Sequence, residues 1–308
     1  MKYYLVIISA LIASLSFAQE KTYNEEDITV SKWIDGTLLS PKETSKPILV
    51  IIIAGSGPTN RDGNQNFLQN NSLKKLAEGL TNNGIATFRY DKRVVKQIRQ
   101  GNVDDNTKFD DFVNDASNVL DFFKEKEVYS KIYIVGHSQG SLVGMLAAKD
   151  KADGFVSLAG AGNNIGDVLV EQVSKMAPKL GEETQRVVTI LKTGQTTTDY
   201  PAPLASLFGP KLQPFMINWM AYNPTDVLKT LDMPILLING TKDLQVSVAE
   251  AELLKAANKK ATLVIIENMN HILFDIEGDD LENSKSYNES FRQLSSQLLK
   301  SITDFIKS

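Results

Sequence analysis

The stretch KIYIVGHSQGSLVGMLAAK, residues 131–149, decides how the chain is read. Residues 132–135 are Ile, Tyr, Ile and Val, a short β-branched and aromatic run that fits a buried strand. From Gln139 onward, with Leu142, Val143, Met145 and Leu146, the chain reads as an amphipathic helix. Between the two lies Gly136-His137-Ser138-Gln139-Gly140, a G-x-S-x-G pattern. The pattern alone is short enough to arise by chance. Its setting gives it meaning, because a nucleophilic serine of this type sits strained at the tip of a tight strand-to-helix turn. Gly136 and Gly140 are then required, since a Cβ at either place would clash as strand and helix pass closely. Gly144, one turn on, would let the helix lie nearer the sheet.

Outward from this turn, strand and helix signals alternate. Residues 28–34 and 36–39 flank Asp35-Gly36 and read as a hairpin. PILVIIIAGSGP (47–58) is a continuous apolar run ended by glycines, as in a strand buried on both faces. A helix begins at Ser72 and ends at Asn82-Asn83-Gly84. GIATFRY (84–90) is a strand, and the next helix places Phe112, Val113, Ala116, Val119, Leu120 and Phe123 on one face. GFVSLAG (154–160) and PILLING (234–240) are strands, VSVAEAELLKAAN (246–258) is a helix, ATLVIIE (261–267) is a strand, and a terminal helix spans Asn288 to Lys307. This order predicts an α/β fold, with a mostly parallel central sheet covered by helices on both faces. The alternation breaks once. Residues 161–232 read as helices over Asp167–Met176, Glu182–Lys192 and about Leu204–Met220, an insertion expected to form a helical cap over the strand ends where ligands bind, the alternative being an extra helical layer with no role at the site.

The 308 residues suit one large α/β domain or two small ones. With net charge −4 and no basic cluster interleaved with aromatics, nucleic acid is not an expected partner. The absence of cysteine excludes disulfides, thiolate nucleophiles and Cys-zinc sites. Two histidines, His137 and His271, argue against a multi-His metal site. The N-terminus, MKYYLVIISALIASLSFAQEK, has a short positive start, an apolar run too short to span a bilayer, and small residues at Ser16 and Ala18. Residues 1–18 are therefore expected to be a signal peptide cleaved before Gln19. The mature chain, 19–308, is expected in the periplasm or outside the cell, with no stable membrane anchor. Oligomeric state is not legible.

A nucleophilic serine needs a base, and the base needs an orienting carboxylate. His137 adjoins Ser138 and should point to another side of the turn, so the base falls to His271, in the loop NMNHIL (268–273). Asp243 follows the strand PILLING and precedes a helix. It could be a simple N-cap, yet Ser138…Asp243…His271, each after a different strand, is the order expected for this elbow. Glu267 and Asp275 are nearer His271 in sequence, with Glu267 the second choice. An oxyanion hole would take one backbone N–H from Gln139 and another from the loop Ala54-Gly55-Ser56-Gly57-Pro58. That loop lacks the spacing of a phosphate-cradling turn.

Taken together, the chain resembles the α/β-hydrolase superfamily, specifically its capped, exported esterase and serine-aminopeptidase-like members. The likeness rests on the elbow 136–140, the acid turn Gly240-Thr241-Lys242-Asp243, the late His271, and GSGPTNRDGN (55–64), similar to the oxyanion loop of such esterases. It implies that Ser56 supplies the first oxyanion N–H. Two departures stand out: Ala54 replaces the histidine many relatives carry before the loop glycine, and Arg93-Val94-Val95-Lys96 replaces a glycine-rich turn after RYDKR. The expectation is a serine hydrolase cleaving small or medium carboxylic esters through an acyl-enzyme, with no cofactor and no metal. The alternatives are an exopeptidase or amidase, which would need a cap anion such as Glu171, Glu182 or Glu183 to hold a free amino terminus, and a non-catalytic binding protein on the same fold.

Asp110, Asp111 and Asp115 read as helix-start charges, Arg61-Asp62 as a fold-stabilising pair or part of the entrance, and Gly278-Asp279-Asp280 as a solvated loop. Phe208, Phe215, Met216, Trp219, Met220 and Tyr222 read mostly as cap core.

Overall fold

A computed structural model describes residues 21–308. The expected export segment, 1–18, lies outside the described residues. In chain order the elements are β1 (Tyr23–Thr29), β2 (Asp35–Pro41), β3 (Leu49–Ile53), α1 (Ser72–Asn82), β4 (Ala86–Tyr90), α2 (Arg93–Arg99), α3 (Phe109–Lys124), β5 (Ile132–His137), α4 (Gln139–Ala148) and β6 (Gly154–Leu158). There follow α5 (Ile165–Met176), α6 (Gly181–Lys192), α7 (Ala205–Phe208), α8 (Gln213–Met220), α9 (Pro224–Lys229), β7 (Ile235–Gly240), α10 (Val248–Ala257), β8 (Thr262–Ile266), α11 (Asp280–Ser286) and α12 (Ser296–Lys307).

The strands form one eight-stranded sheet in the order β1-β2-β4-β3-β5-β6-β7-β8. β1–β2 and β2–β4 pair antiparallel, and all other pairs are parallel. The α/β architecture expected from the alternation is the one observed. Side-chain alternation splits the core in two. Leu49, Ile51, Ile53, Ile132 and Ile134 face one layer with α3 and α4, while Val50, Ile52, Tyr133 and Val135 face the other with α1 and α12. From β3 the chain turns first to β4 on one side and later to β5 on the other. The strand order thus reverses between β3 and β5, and a crevice opens beyond their C-terminal ends. Gly144 permits close contact between α4 and the sheet: a Cβ there would lie 2.9 Å from the Phe155 ring and 3.0 Å from Ile134.

Several expected elements move. The hairpin turn is not Asp35-Gly36 but residues 30–34, with Thr29 opposite Asp35 in the register. Ile34 is fully buried inside this loop, and the Thr29 hydroxyl donates to Asp35. The charged, largely exposed sequence of β1 disguises an edge strand that only pairing with β2 supports. The expected helix over 204–220 is two, α7 and α8, interrupted at Gly209-Pro210, where proline removes an amide donor. The terminal helix starts at Ser296 rather than Asn288. Gly278-Asp279-Asp280 opens α11, with Asp279 accepting the Leu281 and Glu282 amides.

Arg61 and Asp62 serve the fold through other partners: Arg61 bonds Asp27 and Asp91, and Asp62 bonds Arg89. Nor are the α3 acids merely helix-start charges. Asp115 pairs with Arg93, while Asp110 accepts from the Tyr222 hydroxyl at 2.6 Å and Asn218 at 3.0 Å, tying α3 to α8.

Candidate active site

The elbow follows from one strained residue between two glycines. Ser138, between β5 and α4, has φ 54° and ψ −120°, a conformation costly for a residue with a Cβ. The Ser138 N–H donates to Leu158 of β6 at 2.8 Å, and its carbonyl accepts from Ser141, so both neighbours hold the turn. A Cβ on Gly136 would lie 2.2 Å from the Gly140 carbonyl, and one on Gly140 would lie 2.4 Å from the Ile53 carbonyl. Both obstacles are backbone and cannot step aside. Gly136→Ala should therefore lower stability by about 3 kcal/mol, the upper end for overpacking. Urea unfolding monitored by tryptophan fluorescence checks this, and a loss below about 1 kcal/mol would contradict the steric reading.

His271 and Asp243, the candidate base and its partner, are brought together by two loops packed backbone to backbone. A Cβ on Gly240 would lie 1.9 Å from the Met269 carbonyl, and the Lys242 N–H donates to that same carbonyl at 3.0 Å. This contact carries the turn after β7 onto the loop after β8. Asn270, fully buried, bonds Asn283 and Ser286 of α11 and accepts the Phe274 amide, fixing the loop that presents His271.

His271 Nδ1 lies 2.8 Å from Asp243 Oδ2, with both side chains almost wholly buried. Asp243 is not the N-cap of α10; Ser247 occupies that place. Its other oxygen, Oδ1, accepts the Gln245 and Val246 amides at 2.8 and 2.9 Å. An ionised Asp243 therefore takes Nδ1–H from His271 and leaves Nε2 as the basic nitrogen. Glu267 and Asp275 are exposed and lie outside this pair.

His137 turns out to be a neighbour of His271. Its ring centroid lies 4.9 Å from that of His271, and its Nε2 is 2.7 Å from the His271 carbonyl. Burial, and then the adjacent His271, push its pKa down to about 4. A neutral ring must donate Nε2–H to that carbonyl. His137 thus ties the loop bearing His271 to the residue beside Ser138. The sequence places His137 next to the serine but gives no sign of this contact, which spans 134 residues.

Ser56 and Gln139 line the same pocket as Ser138. Gln139 opens α4, so its N–H belongs to the first-turn amides that a helix leaves unpaired. Gly55 brings the β3 loop against the elbow, because a Cβ there would lie 3.2 Å from both Ser138 Cβ and His137 Nδ1. Gln65 and Thr59 hold the Ser56 carbonyl. Lys92, just past β4, is buried with its Nζ 2.5 Å from the Gly55 carbonyl and 3.3 Å from Gln139 Oε1. Sequence reasoning missed this residue, although a lysine two residues past a strand end, where sites of this fold form, was a signal for it.

The pocket above Ser138 has a volume of about 530 Å³. Leu142 of α4, Val168 and Leu169 of α5, and Phe215, Met216 and Trp219 of α8 supply much of its wall. Part of the aromatic set expected to be core therefore faces the pocket, whereas Phe208 is fully buried. α2 forms where the sequence departs from a glycine-rich turn, and it adds Val94, Gln97 and Ile98 to the rim.

Comparison with known proteins bears on the fold. Residues 70–202 match the family described as serine aminopeptidase, S33, a span that includes the elbow but neither Asp243 nor His271. The chain is 28% identical to esterase EstD of Thermotoga maritima over 272 residues, covering 85% of this chain and 63% of that protein's length. Among solved structures, Est1E of Butyrivibrio proteoclasticus superposes with a TM-score of 0.59 at 19% identity, over 92% of this chain and 99% of that one. The Pyrococcus furiosus esterase Pf2001 gives 0.55 at 16% identity, over 92% and 90%. Sheet order, elbow and matches converge: the chain has the α/β-hydrolase fold and resembles esterases over most of its length.

Proposed function

We propose that the protein is a serine esterase that cleaves carboxylic esters bearing an apolar acyl group, with Ser138, His271 and Asp243 as its triad. The observation that carries this reading is the buried Asp243–His271 pair, whose loop is held by His137, the residue next to a strained serine that opens into an apolar pocket. Ser138 Oγ attacks the ester carbonyl while His271 Nε2 takes its proton. Asp243 keeps Nδ1 protonated and stabilises the imidazolium. The carbonyl oxygen becomes an oxyanion facing the Ser56 and Gln139 amides. The tetrahedral species collapses, His271 returns the proton to the departing alkoxide, and the acyl group remains on Ser138. Water then attacks the acyl-enzyme with His271 again as base, releasing the acid and restoring Ser138.

Esters suit the pocket better than amino-terminal peptides. Glu171, Glu182 and Glu183 do not line it; Glu171 pairs with Lys175 and Glu183 with Arg186. At the rim Asp105 pairs with Lys211. The helical segment between β6 and β7 acts as a cap, and its Phe215 and Trp219 offer an aromatic wall to an alkyl or aryl acyl group. Est1E, which shares the fold, has been solved with ferulic acid bound. The test is labelling by a fluorophosphonate probe, with the adduct mapped to Ser138, together with turnover of a panel of p-nitrophenyl, feruloyl and aminoacyl-arylamide substrates. Absence of both labelling and ester turnover would favour a binding protein, and arylamide turnover exceeding ester turnover would favour an exopeptidase.

Within the ester series, kcat/KM should rise about fourfold per added methylene from acetate until the pocket is filled, the factor that corresponds to about 0.8 kcal/mol per buried CH2. A flat series from acetate to hexanoate would place the acyl chain outside the Leu142–Trp219 wall.

A further inference from the structure

Lys92 is a buried cation that the proposed chemistry leaves unused. Its Nζ reaches the Gly55 carbonyl at 2.5 Å and Gln139 Oε1 at 3.3 Å, and it lies 5.2 Å from the centre of the Phe112 ring. These partners lie on three different segments: the loop after β3, the first turn of α4, and α3. Among the described residues no carboxylate pairs with it. Asp91, beside it in the chain, is taken by Arg61 and Arg99, and Asp115, across a small cavity from it, is taken by Arg93. An isolated buried ammonium is costly, and a neutral donor would suffice to satisfy one carbonyl. The position therefore calls for a reason beyond folding.

Peptide geometry supplies one. The Gly55 carbonyl and the Ser56 N–H belong to the same peptide unit, which is trans, so they point in opposite directions. A donor gripping the carbonyl from behind turns the N–H forward, toward the pocket that Ser56 shares with Ser138. The same ammonium touches the side chain of Gln139, whose backbone N–H is the second donor. We propose that Lys92 is the positioning residue of the oxyanion hole: it orients the Gly55–Ser56 peptide, steadies Gln139, and, when protonated, places a positive charge behind both amides. This rests on the esterase reading above.

The charge also responds to pH. Burial brings Lys92 down to about 7. Its ammonium is present below that value and lost above it, so its help to the oxyanion fades as pH rises, opposite in sign to the general base, which must be deprotonated. The ionisable groups around it are Tyr90 and the Arg93-paired Asp115 at the small cavity, and His137 on the other side of Gly55. An anion formed at Ser138 should in turn favour the protonated lysine.

The experiment compares wild type with K92M, K92Q and K92R on a p-nitrophenyl ester across pH, with thermal unfolding of each. K92M should lose about 10- to 100-fold in kcat, since a donor is misaligned rather than removed. Its KM should stay within about threefold, and the fall in kcat on the alkaline side should disappear. K92Q, which keeps a donor without charge, should lie between, and K92R should recover activity toward wild type. A folded K92M with kcat within threefold and an unchanged pH profile overturns the inference, as do losses in all three variants that track only melting temperature. Should K92M fail to fold, the wild-type chain carries the test through NMR of its Lys92 Nζ. Formation of an anionic boronate adduct on Ser138 should raise the Lys92 midpoint by at least about one pH unit, and an unmoved midpoint overturns the proposal. Wild type without ester turnover defeats the esterase reading and this inference together, whereas active wild type with an indifferent K92M defeats only the role of Lys92.

Discussion

Ser138→Ala should lower kcat on an activated ester by about 10,000- to 1,000,000-fold, leaving the residual rate that oxyanion stabilisation and binding alone provide. The hydroxyl opens onto the pocket, so alanine strands no buried polar partner. Alanine also has a Cβ and carries the same strain at φ 54°, so the elbow is neither relaxed nor further burdened. Stability should stay within about 1 kcal/mol of wild type, as for a substitution that breaks none of the main stabilising features. Substrate affinity, set by the apolar wall rather than by the hydroxyl, should persist. Steady-state kinetics, a urea melt and a product-analogue binding measurement on one preparation separate these quantities. A folded variant retaining more than about one hundredth of wild-type turnover would remove Ser138 from the mechanism.

Asp243→Asn should cost about 10,000-fold in kcat through the histidine tautomer rather than through loss of shape. The reason is specific to this site. Oδ1 of Asp243 accepts two backbone amides, Gln245 and Val246. Asparagine has one carbonyl oxygen and one amide nitrogen. To keep those two bonds its oxygen must take the Oδ1 place, which turns its NH2 toward His271 Nδ1. The imidazole must then accept at Nδ1 and carry its proton on Nε2, where the base needs a lone pair. The alternative flip keeps the tautomer but sets NH2 against two N–H donors in a buried turn. The first arrangement should prevail, giving a folded protein with near-normal KM and very low kcat. Lowered kcat together with marked loss of stability would indicate the second. A kcat within tenfold of wild type would leave Asp243 only the role of holding the turn at Gln245 and Val246.

The two variants differ in what they leave behind. Without Ser138 the pair of Asp243 and His271 remains intact, and a fluorophosphonate has nothing to modify. In Asp243→Asn the nucleophile remains, and slow labelling at Ser138 should persist, more so at higher pH where an unassisted serine is slightly more reactive. Labelling rates therefore distinguish a missing nucleophile from a misdirected base.

Much of the fold was legible because its core strands are local statements. Leu49–Ile53, Ile132–Val135 and Ile235–Ile238 are continuous apolar runs bounded by turns, and no other element suits such short segments in an alternating chain. The elements that shifted are those stabilised from outside. β1 is a charged edge strand held by its neighbour, and α7 and α8 break around Gly209-Pro210 while packing over the pocket. α11 hid behind Gly278-Asp279-Asp280 because a capping aspartate and a loop aspartate look alike until the following amides are placed.

The candidate site divides in the same way. Composition and order make Ser138, Asp243 and His271 the first candidates: a serine between two glycines, one histidine outside the elbow, and an aspartate after the strand PILLING, with Glu267 the second choice. Those are properties of residue type and succession, which a sequence records completely. The sequence could not decide which oxygen of Asp243 meets His271, that His137 grips the base loop by its carbonyl, or that Lys92 stands behind Gly55 and Gln139. Each is a contact between segments far apart in the chain, set by strand order and by how closely glycine backbones approach. Hydrogen-bond direction depends on that approach to within fractions of an ångström. Only the folded sheet brings these groups to such distances.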